Sequence, residues 1–157
     1  MSAVVQQPDY FPRPMQEGDL QQVMDIETSV YRFPWSTQIF RDCIRVGYSC
    51  RVIAQNDDIL AYAVMSCGAG EAHLLNICVN KAYQGQGIGK FILQEMIRLA
   101  KEKNVHTIFL EVRPSNHVAL DMYIKNGFNE IGIRKDYYPA QGGREDAVIL
   151  ALNVFAE

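Results

Sequence analysis

The sequence predicts a single α/β domain of the α+β kind, in which helices flank a mixed, mostly antiparallel central sheet. The chain has 157 residues, of which 48% are hydrophobic and 21% charged, as in one globular domain with its own core. Short apolar runs separated by turn residues indicate consecutive antiparallel strands. A strand–helix–strand unit follows in the middle of the chain, where the apolar period changes from that of a strand to that of a helix.

The N-terminal segment has no apolar period. Residues 1–10 are therefore predicted to form a flexible arm, ahead of one domain over residues 11–157. Phe11 to Met15 is predicted as a short edge strand. Prolines stand at two of its positions, and proline is tolerated in a sheet where no ladder donor is needed.

The first half of the domain is predicted to contain two helices and three strands. Apolar residues at helical spacing predict the first helix over Asp19–Thr28. Ser36 occupies an N-cap position for the second helix, and Gly47 is expected to end it. Turn residues then separate three apolar runs that indicate an antiparallel meander, Tyr48–Gln55, Ile59–Cys67 and Ala72–Val79.

The second half begins with the most regular pattern in the chain. Gly87–Lys103 combines an apolar face with a polar stripe and is predicted as a helix. A compact apolar strand over Thr107–Val112 comes next, and then a helix over Asn116–Asn126 that Gly127 would end. The last predicted elements are two strands, Phe128–Arg134 and Asp146–Asn153. Between them, Pro139–Gly143 is predicted as a loop.

Composition argues against several classes of function. The net charge of -3 provides no basic footprint for nucleic acid, and no apolar run reaches the roughly 18 residues of a membrane span. No secretory signal is visible, so a cytoplasmic protein is expected. No heptad pattern appears, so a monomer is expected. The cysteines form no CxxC pair, so we expect them to be reduced thiols that bind no metal. They are Cys43, Cys50, Cys67 and Cys78.

The segment Gln84-Gly85-Gln86-Gly87-Ile88-Gly89-Lys90 lies between a predicted strand and a predicted helix. Glycines let backbone N–H groups converge on an anion, and a helix N-terminus favours phosphate. A Rossmann fingerprint would need glycine at Lys90, and a Walker A loop would need glycine at Gln84 and Ser or Thr at Phe91. Both motifs fail. A turn that only reverses the chain is a weaker interpretation, because three glycines open the helix.

The pattern Gln-x-x-Gly-x-Gly resembles the pyrophosphate loop of the GNAT acetyltransferase superfamily, and the order of predicted elements also fits that fold. The resemblance implies acetyl-CoA as cofactor. It implies that the strand ahead of the loop pairs with the pantetheine arm through Ile77, Cys78 and Val79. It implies that the diphosphate is bound by the loop residues Gln84, Gly85, Gln86, Gly87, Ile88, Gly89 and Lys90.

Two residues have side chains suited to acetyl transfer. Glu111, near the end of a predicted strand, could take the amine proton directly or through water, or could simply pair with Arg113 or another surface cation. Tyr123 shares a helix face with Asn116 and could assist the leaving thiolate, or could serve only in helix packing. A phenol pKa of about 10 exceeds a thiol pKa of about 8.5, so full proton transfer would cost roughly 2 kcal/mol. A hydrogen bond, or a lowered pKa, would therefore be needed.

Longer segments resemble the RimI group of this superfamily, the ribosomal-protein-alanine N-acetyltransferases. They are Glu111–Asn116, Met122–Phe128, Phe33–Ser36, Tyr137–Pro139 and Gly143–Ala147. The resemblance implies Glu111 as general base, Tyr123 as general acid and Asn116 as a cofactor contact. Gly85 departs from the group, which commonly has arginine there, and the N-terminal arm is longer than expected.

The resemblance implies a small-subunit ribosomal protein with an N-terminal alanine as substrate. An α-amine, with a pKa near 8, costs about 3 kcal/mol less to deprotonate than a lysine amine with a pKa of about 10.4. We expect a peptide groove lined by Tyr31, Trp35 and Tyr138, with Arg144, Glu145 or Asp146 contacting the peptide backbone or its charges. Lysine or small-amine acetylation stays open, as does a non-catalytic acetyl-CoA-binding module, although the presence of both Glu111 and Tyr123 argues against the latter.

Overall fold

The computed structural model describes residues 9–156 and contains one sheet and four helices. The strands are β1 Phe11–Pro14, β2 Ser49–Gln55, β3 Asp58–Gly68, β4 Glu71–Val79, β5 Thr107–Val112, β6 Asn129–Ala140 and β7 Gly143–Asn153. The helices are α1 Leu20–Val30, α2 Thr37–Arg45, α3 Ile88–Glu102 and α4 His117–Lys125. The longest of these, α3, has 15 residues, and none of the described helices could cross a membrane.

The sheet has seven strands in the order β1-β2-β3-β4-β5-β7-β6, which confirms the predicted mixed, mostly antiparallel class. Only β4 and β5 pair in parallel, because α3 carries the chain across between them. Their pairing covers Glu71–His73 against Thr107–Phe109. Beyond it β4 continues alongside β3, with a register shift around Leu75, while β5 pairs with β7. The two strands therefore separate and leave a cleft at the centre of the sheet.

A different hydrophobic cluster covers each face of the sheet. The cluster under α3 and α4 includes Ile92, Met96 and Leu110. The cluster under α1 and α2 includes Phe40 and Tyr62, and it draws its strand residues from β2, β3 and β4. Strand alternation turns the other side chains of β5 away from the first cluster, onto a face that α1 and α2 leave uncovered. The cleft is therefore accessible from that face.

The C-terminal hairpin differs from the prediction. The expected loop at Pro139–Gly143 is wrong, because β6 extends to Ala140, β7 begins at Gly143, and two residues connect them. Side chains in the outer part of β6 are mostly exposed, and the register shifts between Arg134 and Tyr138. Both features remove the alternation of buried and exposed residues that a sequence pattern needs.

The predicted flexible arm, residues 1–10, lies mostly outside the described residues. Of its last two residues, Tyr10 packs edge-on against Phe91 of α3, with ring centroids 5.1 Å apart. Packing with the domain therefore begins one residue before the predicted boundary. The short 3-10 turn Glu17–Asp19 then leads directly into α1.

Candidate active site

The cleft between β4 and β5 exposes main-chain groups of β4. In an antiparallel pair, every second residue turns its N–H and C=O away from the neighbouring strand. Ile77 and Val79 are in this position, because their carbonyls bond to side chains instead of to β3. The Ile77 carbonyl accepts a 2.6 Å hydrogen bond from the Tyr31 hydroxyl, and the Val79 carbonyl accepts a 3.1 Å hydrogen bond from Gln84 Nε2. Cys78 turns its side chain into the core beside α1. The strand end predicted to hold the pantetheine arm therefore borders the cleft.

The glycine loop leads from β4 into α3. Gly85 and Gly87 both have φ of 81°, and a Cβ added at either would meet no atom within 4 Å, so the space beside the loop is open. No side chain caps the N-terminus of α3, which leaves its first N–H groups available to an anion. Gln86 and Lys90 are exposed, whereas Ile88 is buried and offers only its main chain. The loop therefore has main-chain donors and a cation that could hold a phosphate group.

Gly89 brings α3 close to α4. A Cβ added here would lie 3.2 Å from Met122 Sδ and 3.6 Å from the Val79 side chain, so Met122 would have to shift by a few tenths of an ångström to admit one. Asn116 begins α4, and its side-chain oxygen accepts a hydrogen bond of 3.3 Å from Ala119 N. Asn116 is thus held at the same end of the cleft as the predicted cofactor residues.

Glu111 lies near the end of β5, on the face that α1 and α2 leave uncovered, and its side chain is 9% exposed. One carboxylate oxygen, Oε2, contacts His73 Nε2, and Oε1 lies 3.8 Å from Arg134 Nε. The hydrogen bond from His73 lowers the pKa of Glu111, with a smaller contribution from the charge of Arg134, and both oppose the effect of burial. Glu111 is therefore ionised at neutral pH and can accept a proton.

The alternative that Glu111 pairs with a cation is wrong for Arg113 but holds for the exposed Arg134, which lies 3.8 Å from Oε1. Arg113 instead lies 3.2 Å from Glu145, whose carboxylate also accepts hydrogen bonds from Ser115. His73 was missed by the sequence reasoning, although the parallel pairing of β4 with β5 would have placed it beside Glu111. Both residues line an open cavity of about 490 Å³, here called the base pocket; its other lining residues include Ser66, Glu71, Phe109, Ile131, Arg134 and Ile149.

Tyr123 projects from α4 into the core below the cleft and is 5% exposed. Its ring packs against Phe128, with centroids 5.6 Å apart. Burial raises the pKa of Tyr123 above the ordinary phenol value, and the nearby Tyr138 adds to this. The predicted alternative of a lowered pKa is therefore wrong. Within residues 9–156 no group forms a hydrogen bond with the Tyr123 hydroxyl, so the hydroxyl remains available as a donor.

A second cavity, of about 280 Å³, lies between the segment after α1 and the β6–β7 hairpin; we call it the acceptor groove. Its lining residues are Tyr31, Arg32, Phe33, Arg113, Ser115, Ala140, Gln141 and Glu145. A hydrogen bond of 2.9 Å from Arg32 Nη1 to Gln141 Oε1 joins the two walls. The guanidinium of Arg113 lies 4.4 Å from the centroid of the Tyr138 ring.

The four predicted substrate residues divide into two pairs. Tyr31 lines the acceptor groove, and Tyr138 lies beside it under Arg113; burial, and then the charge of Glu111, raise the pKa of Tyr138. Trp35 packs its ring on Phe40, 5.1 Å between centroids. Arg144 donates to the carbonyls of Asp136 and Tyr137 at 2.7 and 3.1 Å. Trp35 and Arg144 therefore support the walls of the groove and do not line it.

Known proteins resemble this chain over almost its full length. The [ribosomal protein bS18]-alanine N-acetyltransferase of Escherichia coli is 39% identical over 140 residues, 89% of this chain and 95% of the relative. The enzyme of the same name from Haemophilus influenzae is 40% identical over 134 residues, 85% of this chain and 91% of the relative.

Solved structures show the same architecture. The crystal structure of the ribosomal-protein-S18-alanine N-acetyltransferase from Escherichia coli matches with a TM-score of 0.87 and 36% identity, covering 94% of this chain and 96% of the other. Ard1 from Thermoplasma volcanium shares the fold at 21% identity and a TM-score of 0.86, over 95% of this chain and all of the other. The model of the acetyltransferase (GNAT) family matches residues 20–128. The chain belongs to the acetyltransferase (GNAT) family.

Proposed function

We propose that the protein transfers the acetyl group of acetyl-CoA to the N-terminal alanine of ribosomal protein bS18. The observation that carries this proposal is the position of Glu111. It is an ionised, largely buried carboxylate on the strand that forms one side of the cleft, and the glycine loop follows the strand on the other side. The curated relatives with this name align over most of the chain, which supports the same substrate here.

The residues around the cleft suit acetyl-CoA, which when bound supplies an activated thioester carbonyl. The main-chain N–H groups from Gln84 to Lys90 would hold its diphosphate, with the helix dipole of α3 adding to the attraction. The main-chain edge of β4 at Ile77 and Val79, which faces away from β3, would hold the pantetheine arm through its N–H groups, because Tyr31 and Gln84 already donate to the two carbonyls. Asn116, at the start of α4, would contact the cofactor from the opposite side of the cleft.

Glu111 would remove the proton that the attacking amine must lose. Oε1 is the oxygen left for this task, because Oε2 is engaged by His73. A carboxylate with a lowered pKa is a modest base, so it suits an acceptor that gives up its proton easily. An N-terminal α-amine has a pKa near 8 and a lysine amine one near 10.4, which makes the α-amine the better match.

Tyr123 would stabilise the negative charge that develops on the leaving sulfur. The raised pKa of its hydroxyl means that the phenol holds its proton firmly. A buried donor of this kind contributes a hydrogen bond rather than a transferred proton, and it does so where the low polarity of the core strengthens the interaction. The thiolate would then take its proton from solvent after release.

The acceptor groove suits the first residues of a polypeptide. Its walls come from separate parts of the chain, the segment after α1 and the β6–β7 hairpin, and aromatic rings lie on both. The net charge of -3 favours a basic partner such as a ribosomal protein. We further propose that the enzyme acts in the cytoplasm as a monomer, with no nucleic-acid or membrane partner.

A thiol-release assay with acetyl-CoA tests the proposal. One peptide carries a free N-terminal alanine ahead of the bS18 sequence; its control has a blocked N-terminus and one internal lysine. We expect turnover only with the free N-terminus, and a loss of about 100-fold or more in kcat for Glu111→Gln. Turnover only with the lysine peptide would replace the substrate class. Tight acetyl-CoA binding without any turnover would indicate a small-amine enzyme or a binding module.

A further inference from the structure

We infer that His73 is the positioning residue for Glu111: its imidazole fixes the carboxylate, and protonation of that imidazole weakens the base in acid. This inference rests on the proposed function of Glu111 as the base. The two side chains come from different strands, 38 positions apart in the chain. Their contact is the only ring-nitrogen hydrogen bond that a histidine makes to a side chain within residues 9–156.

The sheet places His73 at the point where the cleft opens. His73 pairs with Phe109, and this is the last paired position of β4 and β5 before the strands separate. Glu111 follows Phe109 by two residues and therefore projects from the same face of the sheet. His73 can reach Glu111 along this face, while the carboxylate itself lies just beyond the final paired position, at the edge of the cleft.

The direction of the hydrogen bond follows from the charge on Glu111. The pKa of Glu111 is lowered, so the group is a carboxylate near neutral pH and can only accept hydrogen bonds. Nε2 of His73 must then carry the proton, which leaves Nδ1 as the nitrogen without one. The side chain of His73 is 36% exposed and that of Glu111 is 9% exposed, so solvent reaches the imidazole more easily than the carboxylate.

Other charged and titratable groups also face the pair. From β6, Arg134 lies 3.8 Å from the second oxygen of Glu111, and Tyr138 is close enough for the charge of Glu111 to raise its pKa. From β4, Glu71 lines the base pocket. Arg134 is 57% exposed, so water screens its charge and it is a weaker anchor than the imidazole. Without His73, Glu111 would therefore be free to turn toward Arg134 and away from the amine.

Protonation of His73 would change the base without breaking the contact. A proton taken from solvent at Nδ1 converts the imidazole to an imidazolium, while the Nε2–H bond to Glu111 stays in place. The added positive charge stabilises the carboxylate, so Glu111 accepts the amine proton less readily.

The first test compares wild type with His73→Gln and His73→Ala at saturating acetyl-CoA and peptide, from pH 5.5 to 9. Glutamine can donate to Glu111 but does not titrate, whereas alanine removes the donor. We expect His73→Ala to lower the plateau kcat at least about tenfold below His73→Gln, with KM for acetyl-CoA unchanged. We expect His73→Gln to lose less of its kcat than wild type as the pH is lowered, because glutamine takes up no proton. Superimposable profiles for all three proteins would overturn the inference.

The second test does not depend on turnover. Long-range ¹H–¹⁵N NMR correlations of the apo protein identify which ring nitrogen of neutral His73 carries the proton. We expect the Nε2–H form in wild type and a mixture of both forms in Glu111→Gln. The Nδ1–H form in wild type would overturn the inference. Wild type without activity toward a free N-terminus would contradict the proposed function instead, and the NMR result would still decide the role of His73.

Discussion

The carboxylate of Glu27 accepts a 2.6 Å hydrogen bond from the hydroxyl of Tyr62 inside the protein, where Glu27 is only 1% exposed. Asn76 Nδ2 donates to the same oxygen at 3.0 Å, and the main-chain N–H of Trp35 donates to the other at 2.8 Å. No salt bridge to Glu27 forms within the described part of the chain. The three hydrogen bonds therefore connect the end of α1 to three other parts of the protein. Tyr62 lies on β3, Asn76 on β4 beside the cleft, and Trp35 in the segment that forms a wall of the acceptor groove.

We predict that Glu27→Gln lowers the free energy of unfolding by about 2–4 kcal/mol, because the new amide donor would face groups that are themselves donors. Tyr62→Phe is the matched control: it removes one donor and should cost about 1 kcal/mol. Urea denaturation followed by fluorescence measures both. An unchanged denaturation midpoint in Glu27→Gln would mean that the network contributes little.

Removal of the Tyr123 hydroxyl tests its role as a donor. Tyr123→Phe should lower kcat about 10–100-fold and leave the thermal midpoint nearly unchanged, because the hydroxyl makes no hydrogen bond within residues 9–156. Tyr137→Phe, on the exposed part of the hairpin, serves as control. The raised pKa of Tyr123 also predicts that ionisation of this group causes no loss of wild-type activity up to about pH 10. Full kcat in Tyr123→Phe would exclude the assigned role.

Gly85 allows the effects of backbone and charge on cofactor binding to be separated. Its φ of 81° disfavours any side chain, so the free loop of Gly85→Ala should relax, and restoring the binding conformation would weaken acetyl-CoA binding by about 1–2 kcal/mol. Gly85→Arg carries the same strain but adds a cation beside the diphosphate, and nothing within 4 Å obstructs its Cβ. We expect Gly85→Arg to bind acetyl-CoA more tightly than Gly85→Ala, as measured by calorimetry. Equal affinities would show that a cation at position 85 does not contact the diphosphate.

The ion pair of Arg13 and Asp19 predicts how stability depends on acid. A hydrogen bond from Arg13, at 2.7 Å, lowers the pKa of Asp19. A group with a lowered pKa in the folded state contributes stability above its unfolded pKa of about 3.9 and loses it as the pH falls through the folded value. Asp19→Asn should therefore reduce the drop in thermal midpoint between pH 7 and pH 3. Asp57→Asn, at an exposed turn, should not.

Local patterns in the sequence determined most of the architecture. The apolar face of α3, the meander of β2 to β4 and the glycine loop before α3 are each encoded within about 30 consecutive residues, so period and turn chemistry were enough to predict them. The motif resemblance identified Glu111 and Tyr123 as candidate catalytic residues. Glu111 was predicted on a strand and Tyr123 on a helix, and the structure has them there. The last two residues of β6, Pro139 and Ala140, lacked such a pattern and were predicted as part of a loop.

The partners of these residues were decided only by the tertiary structure. His73 meets Glu111 because β4 and β5 pair in parallel for three residues and then separate, and this register is set by how α3 packs across the sheet. Glu27 meets Tyr62, and Tyr31 meets Ile77, because the end of α1 rests on β3 and β4. These contacts join residues 35 to 46 positions apart. Periodicity and turn chemistry describe only neighbours along the chain, so such pairings emerge when the packed core fixes one element against another.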